Sequence, residues 1–261
     1  MGGVIPFSTA ESFVARVAGA GKPVRAILDT NVLIAISYEI KDSHDEVAKL
    51  VRQLTAAGVA FFATVTTRAE FMDFHRRLML TETLVDLVDG HSRAKVPRAA
   101  ADEIKKSYAS VKSKQARDGS DPIFNDSQLK AIKGEFSAGP HSGHLGWLKV
   151  CEVSLRGYVE QVEKQLADAG ITYLSPNEPS QRQLFNGPLE WPAAASLVER
   201  TGLSVSDAMI LNALNRSACQ FAVSMDFDFG FAVMADQSNK DVVMPDSIER
   251  EYRHYHFGKE S

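Results

Sequence analysis

Cysteine is scarce in this sequence: the chain of 261 residues has two, Cys151 and Cys219, far apart and part of no metal or redox motif. A disulfide scaffold is therefore not the organising device, and both are expected as buried thiols in a reducing cytoplasm. No apolar run approaches the length that crosses a bilayer, so no membrane association is expected. The opening Met1-Gly2-Gly3-Val4-Ile5-Pro6 has neither a basic start nor a long apolar stretch, so no signal peptide is expected. Pro6 also stands where myristoylation of Gly2 would require Ser or Thr. Positive charge is not in excess: the formal net charge is -4, which advertises no global attraction for nucleic acid and leaves room for a local basic patch. A P-loop, a GxGxxG string, a Ser-His-Asp arrangement and internal repeats are all missing.

What is there is an ordinary globular composition, 44% hydrophobic and 24% charged, in a chain long enough to bury a sizeable core as one large domain or two small ones. Its organising stretch is Val24-Arg25-Ala26-Ile27-Leu28-Asp29-Thr30-Asn31-Val32-Leu33-Ile34. A β-favouring run stops at Asp29, the polar pair Thr30-Asn31 follows, and an apolar segment then starts a helix. A strand that ends in a carboxylate and turns into a helix puts that carboxylate at the carboxyl edge of a sheet, where open α/β folds bind ligands. Ser43 is expected to cap the next helix, with Val47, Leu50, Val51 and Leu54 as its apolar stripe. Val59 to Val65 reads as a second strand, apolar throughout as strands buried on both faces are. Thr66-Thr67-Arg68-Ala69-Glu70 opens a third helix toward Val88. Later strands are expected at 171–174, 221–224 and 242–244. Helices are expected at 147–169, near 192–200, after Asp207 and from Asp246. This alternation predicts a parallel sheet with helices on its faces.

Two stretches stand apart. Residues 8–20 read as an amphipathic helix opened by the capping box Ser8-Thr9-Ala10-Glu11, an addition to the core. From 90 to 146 the character changes. Residues 93–117 hold eight basic against two acidic residues, a net of +6, and a Gly-, Pro-, Asp- and Ser-rich segment follows. This reads as an insertion of one or two basic helices and a long loop. The expected organisation is an N-terminal extension at 1–22, a core at 23–89 and 147–251, the insertion at 90–146 within it, and a tail at 252–261.

Asp29, Glu70, Asp207 and Asp226 recur at comparable points, each following a strand or sitting early in a helix. In a parallel sheet such points lie on one edge. Carboxylates gathered there repel one another, and a divalent cation with a preference for hard oxygen ligands, Mg²⁺ or Mn²⁺, relieves that repulsion. Each acid also has a plainer reading: Thr67-x-x-Glu70 and Ser204-x-x-Asp207 both have capping-box form, and Asp29 and Asp226 fit as loop carboxylates.

The order of these pieces carries a resemblance. Ile27-Leu28-Asp29-Thr30-Asn31-Val32-Leu33, then Glu70, then Leu203-Ser204-Val205-Ser206-Asp207-Ala208-Met209-Ile210, then Val223-Ser224-Met225-Asp226-Phe227-Asp228-Phe229, closed by Val242-Val243-Met244-Pro245, resemble the PIN-domain nucleases in the style of VapC-type toxins. The resemblance spans residues 24–80 and 147–245. It implies a three-layer α/β/α sandwich with a central parallel sheet and a metal-dependent ribonuclease, either a toxin of a toxin–antitoxin pair or an RNA-processing enzyme. Asp29, Glu70, Asp207 and Asp226 correspond to the catalytic metal ligands for Mg²⁺ or Mn²⁺, Asp228 to a further ligand, and Asn31 and Ser224 to supporting positions. RNA is the implied substrate, with an antitoxin or other protein partner, or a second copy of the chain, as partners. The alternatives are a non-catalytic PIN-fold interaction protein and a structure-specific DNA nuclease.

Other residues weigh less. Lys105, Lys106, Lys112, Lys114 and Arg117 are candidates for RNA phosphates, or else a solvated helical face. Arg68, Arg76 and Arg77 flank Glu70, and His75 lies one helical step from it. The spacing of His141-x-x-His144 and His254-x-His256 is compatible with a metal but lacks partner ligands.

Overall fold

Five of the apolar runs become strands, and a sixth strand comes from the segment expected to lie outside the core. The computed structural model describes residues 2–19, 21, 23–89, 96–136, 143–236 and 238–252. The chain divides into two compact units, one of Met1–Phe71 with Gln165–Ser261 and the other of Met72–Lys164.

The first unit carries the sheet. Its strands are β1 (Val4–Pro6), β2 (Arg25–Leu28), β3 (Ala60–Ala63), β4 (Ile171–Tyr173), β5 (Phe221–Val223) and β6 (Asp241–Met244). All pairings are parallel, in the order β1-β6-β5-β2-β3-β4. Between them run α1 (Ala10–Ala18), α2 (Thr30–Ser37), α3 (His44–Ala56), the start of α4 (Val65–Val88), α9 (Trp191–Thr201), α10 (Val205–Arg216), α11 (Phe227–Ala235) and α12 (Asp246–Glu251). The fold is the α/β class expected, a parallel sheet covered by helices in three layers.

The alternation of side chains sorts each strand between the two faces. Ile27, Phe62, Ala222, Val242 and Met244 pack with Leu197, Leu211, Leu214, Phe229 and Val233 of α9, α10 and α11. On the opposite face Phe13 of α1 meets Phe221 edge-on, ring centroids 5.4 Å apart. Full burial of one such aromatic contributes about 1.5–3 kcal/mol.

Several expectations change at this level. The N-terminal stretch is not peripheral: β1 pairs with β6, and Ala10, Phe13 and Val14 are buried. Ser8 caps nothing; its hydroxyl donates to Asp246 Oδ1 at 2.6 Å, and a 3₁₀ turn at Phe7–Thr9 precedes α1. Ser43 precedes α3, but its buried hydroxyl makes no capping bond. The expected strand 59–65 is cut short at Ala63 because Thr64 caps α4. Tyr252, placed in the tail by its position, is buried and stacked on Phe227 at 4.6 Å.

The second unit has a core of its own. Leu80 and Leu84 of α4 pack with Ala100, Ile104 and Val111 of α5 (Arg98–Asp118), Leu129 and Ile132 of α6 (Asp126–Glu135) and Trp147 of α7 (Gly143–Ser154). Its boundary therefore lies inside α4 at Met72 rather than at Gly90, since the helix's later turns bury their apolar residues here. The loop expected after Asp118 contains α6, started by a reciprocal capping box between Asn125 and Gln128. The helix expected at 147–169 is two, α7 and α8 (Tyr158–Asp168), broken where Gly157 takes φ +72°. Cys219 is a buried free thiol as expected, whereas Cys151 on α7 is half-buried. Among the described residues no helix is long and apolar enough to cross a membrane.

Candidate functional site

The sheet order locates the site. From β2 the chain moves outward to β3 and then β4; it returns to β5 on the other side of β2 and continues outward to β6. The direction of travel reverses between β2 and β5, so the crevice beyond their carboxyl ends is the switch point where open α/β sheets bind ligands. Asp29 follows β2, and Ser224-Met225-Asp226 follows β5.

Asp29 extends the ladder by donating its N–H to Val223 O at 3.0 Å. Its side chain caps α2: Oδ1 accepts from Thr30 N–H at 2.6 Å, and Oδ2 accepts from the Ser224 hydroxyl at 2.6 Å. Ser224 Oγ in turn accepts from Asp226 N–H at 3.0 Å, and Asn31 Oδ1 accepts from Met225 N–H at 3.1 Å. The two polar residues expected as supports thus tie the ends of β2 and β5 together. Ser224 is fully buried and Asp29 is 3% exposed.

Glu70 and Asp207 approach from other elements. Thr64 and Thr67 cap α4 reciprocally, each Oγ1 accepting the other's N–H, at 2.8 and 3.2 Å. That leaves Glu70, in the second turn rather than the first, with no capping duty. Its Oε2 accepts from the Thr30 hydroxyl at 2.5 Å. Asp207 keeps half of its plainer role: Ser204 Oγ accepts its N–H at 3.1 Å and donates to its Oδ2 at 2.7 Å. Asp226 is the N-cap of α11, with Oδ1 accepting from Asp228 N–H and Phe229 N–H. Among the described residues, Glu70 Oε1, Asp207 Oδ1 and Asp226 Oδ2 accept none of these bonds.

Their charges act on one another. Burial, together with the nearby Asp207 and Asp226, pushes Asp29 up from 3.8 to about 7 against the opposing bonds from Ser224 and Thr30. Asp207 is raised by burial and by Asp226, Glu70 and Asp228. Burial and the charges of Asp226 and Asp228 also raise Tyr252, whose hydroxyl donates to Phe227 O at 2.5 Å.

No protein-family model matches the chain, and no curated protein or solved structure matches it.

The donor set consists of hard oxygens, and burial first, then the nearby acidic charges, raises Asp29 and Asp207. Among the described residues no three of the His, Cys, Asp and Glu side chains converge into a ready metal cage. Mg²⁺ does not ask for one: it keeps several waters and takes one or two carboxylates. Oxygens of this kind suit a hydrated ion that takes only one or two of them.

The remaining candidates fall elsewhere. Arg76 and Arg77 are held by Asp73, with Arg76 also reaching Asp126. His75 is a buried ring edge-on to Phe74, and burial holds it below its ordinary value. On α5, Lys106 pairs with Glu103, already counted in the +6, Lys112 reaches the neutral Gln115, and Arg117 pairs with Asp118, which offsets one of these charges; Lys105 and Lys114 are exposed. His141, the side chain of His144, His254 and His256 lie outside the described residues, as do Arg93 and Lys95. Thr30 and Tyr252 were not singled out from the sequence. Thr30 sits in the strand-to-helix turn itself, which is the signal that it faces the same crevice as Asp29.

Proposed function

We propose that this chain is a PIN-type, metal-dependent ribonuclease that hydrolyses RNA phosphodiesters in the cytoplasm, as a toxin or an RNA-processing enzyme. One observation supports the reading: at the switch point, an aspartate is shared between two strand ends and lifted to about 7 by its burial, with the charges of Asp207 and Asp226 adding to it. Such a group needs either a proton or a cation to be at rest. Asp29, Glu70, Asp207 and Asp226 would hold Mg²⁺ or Mn²⁺, with Asp228 at the rim. When bound, the ion neutralises charge on the scissile phosphate and acidifies water for attack. The protein's own contribution is placement. Ser224 and the Thr30 N–H orient the two oxygens of Asp29, the Thr30 hydroxyl orients Glu70, and Ser204 orients Asp207. Asn31 holds the Met225 N–H and so fixes the loop that presents Asp226.

A non-catalytic PIN-fold scaffold is the second reading, favoured by the capping bonds that the Asp29 and Asp226 side chains make and by the tie of Asp207 to the cap Ser204. One assay separates the two. Labelled RNA and DNA are incubated with Mg²⁺, Mn²⁺ or EDTA and with wild type or Asp29→Asn. RNA is expected to be cut with either metal and not in EDTA, and Asp29→Asn is expected to fall by roughly 10⁴-fold or more, the scale of losing a catalytic group. Absence of metal-dependent cutting by wild type supports the scaffold, and preferential cutting of DNA reassigns the substrate.

A further inference from the structure

The backbone around Asp226 is held from both sides, and one of the holds comes from the far end of the described chain. Before Asp226, Asn31 Oδ1 accepts from Met225 N–H at 3.1 Å, and Ser224 Oγ accepts from Asp226 N–H at 3.0 Å. After it, the Tyr252 hydroxyl donates to Phe227 O at 2.5 Å. The Tyr252 ring lies on the Phe227 ring, with centroids 4.6 Å and planes 15° apart. Three successive residues are thus held by side chains from α2, from the end of β5 and from the C-cap of α12.

The surroundings of Tyr252 are built for this contact. The side chain is buried, and its hydroxyl lies 3.9 Å from Met244 Sδ at the end of β6. Gly230 of α11 leaves the room: a Cβ there would overlap the Tyr252 hydroxyl and the Met244 sulfur. The start of α12 is anchored in turn by the bond from the Ser8 hydroxyl to Asp246. A ring alone would fill the space. The hydroxyl needs a partner once buried, and the partner it has is a carbonyl in the first turn of α11. That same turn sets the Asp226 carboxylate, whose Oδ1 accepts from Asp228 N–H at 2.7 Å and from Phe229 N–H at 3.3 Å. If the turn shifts, the carboxylate shifts with it, and metal sites tolerate only about 0.5 Å of such error.

We propose that Tyr252 is a positioning residue for the metal site, clamping the first turn of α11 so that Asp226 presents its other oxygen to the ion. The inference rests on the ribonuclease reading. Tyr252 touches neither metal nor RNA; it acts through Phe227 and Asp226.

The test uses the metal-free full chain. Mn²⁺ affinity is measured by calorimetric titration, and RNA cleavage is followed over a Mn²⁺ series. Tyr252→Phe keeps the ring stack and removes only the hydroxyl. It is expected to weaken Mn²⁺ binding about tenfold, the scale of losing a partner that orients a ligand. Cleavage at low Mn²⁺ falls in proportion and returns to within about twofold of wild type at saturating Mn²⁺, with KM for RNA unchanged. Tyr252→Leu, which also loses the stack, is expected to lose more. Lys240→Met is the control, because it removes bonds at the entrance of β5, the opposite edge of the sheet. It is expected to lower stability and leave Mn²⁺ affinity within about twofold. If wild type and Tyr252→Phe bind Mn²⁺ alike, the clamp is overturned and the ribonuclease reading stands. Equal weakening in Tyr252→Phe and Lys240→Met traces the effect to lost stability and also overturns the clamp. A wild type that neither binds Mn²⁺ nor cuts RNA overturns both.

Discussion

Asp29 answers to two opposing demands. Its position makes it the cap of α2 and the bridge to Ser224, and both bonds favour the carboxylate. Its burial and its acidic neighbours favour the protonated form more strongly, which places it at about 7. A carboxyl raised in the folded state contributes stability that is fully present below its unfolded pKa and lost as pH rises through the folded one. The window is therefore about 4 to 7, and the full shift corresponds to on the order of 4 kcal/mol. In EDTA, the melting temperature of wild type is expected to fall as pH rises from 5 to 8. Asp29→Asn, which keeps the shape and a carbonyl for the Thr30 N–H, should flatten that fall and be the more stable protein at pH 8, by about 1–3 kcal/mol. Parallel melting curves for the two proteins would show that Asp29 is not under this tension. The sequence placed Asp29 correctly at the end of a buried strand. It did not reveal the capping role, because a helix cap and a metal ligand call for the same residue at the same point.

At the scale of elements, the strands and long helices were legible because burial on both faces writes continuous apolar runs and amphipathic helices write their period. What was missed depended on short segments or partner choice. Val4–Pro6 is three residues long and becomes a strand only through β6. Asn125-x-x-Gln128 has cap form, but it lies in a stretch whose Gly, Pro, Asp and Ser content argued for a loop. Thr67-x-x-Glu70 has the same form, yet Thr64 and Thr67 cap each other and release Glu70. Lys240 is a further case. Its Nζ donates to Leu214 O, Ser217 O and Cys219 O at 2.8, 2.5 and 2.8 Å, binding the end of α10 to the entrance of β5. Burial lowers its pKa, so the charge is held at a cost that the three carbonyls offset. Lys240→Met is expected to lower unfolding free energy by about 2–3 kcal/mol, read as a shift in urea midpoint at constant slope. A midpoint unchanged within error would mean that water replaces the ammonium without penalty.

At the scale of the whole chain, the site follows from strand order. Acids after β2 and β5 meet because these strands are neighbours at the point where the winding reverses, although nearly two hundred residues separate them in sequence. That adjacency cannot be read from either motif alone; the alternation of strands and helices put the acids on one edge of a parallel sheet without ordering its strands. The most direct measurement of the central claim is calorimetric titration of Mn²⁺ into the metal-free protein in buffers of different ionisation heat. Ligands must be deprotonated to bind, so binding expels the proton that Asp29 holds. The account predicts binding accompanied by release of close to one proton at pH 6 and much less at pH 8, with Asp29→Asn losing both the affinity and the release. Absence of binding to wild type, or binding without proton release at pH 6, would contradict it.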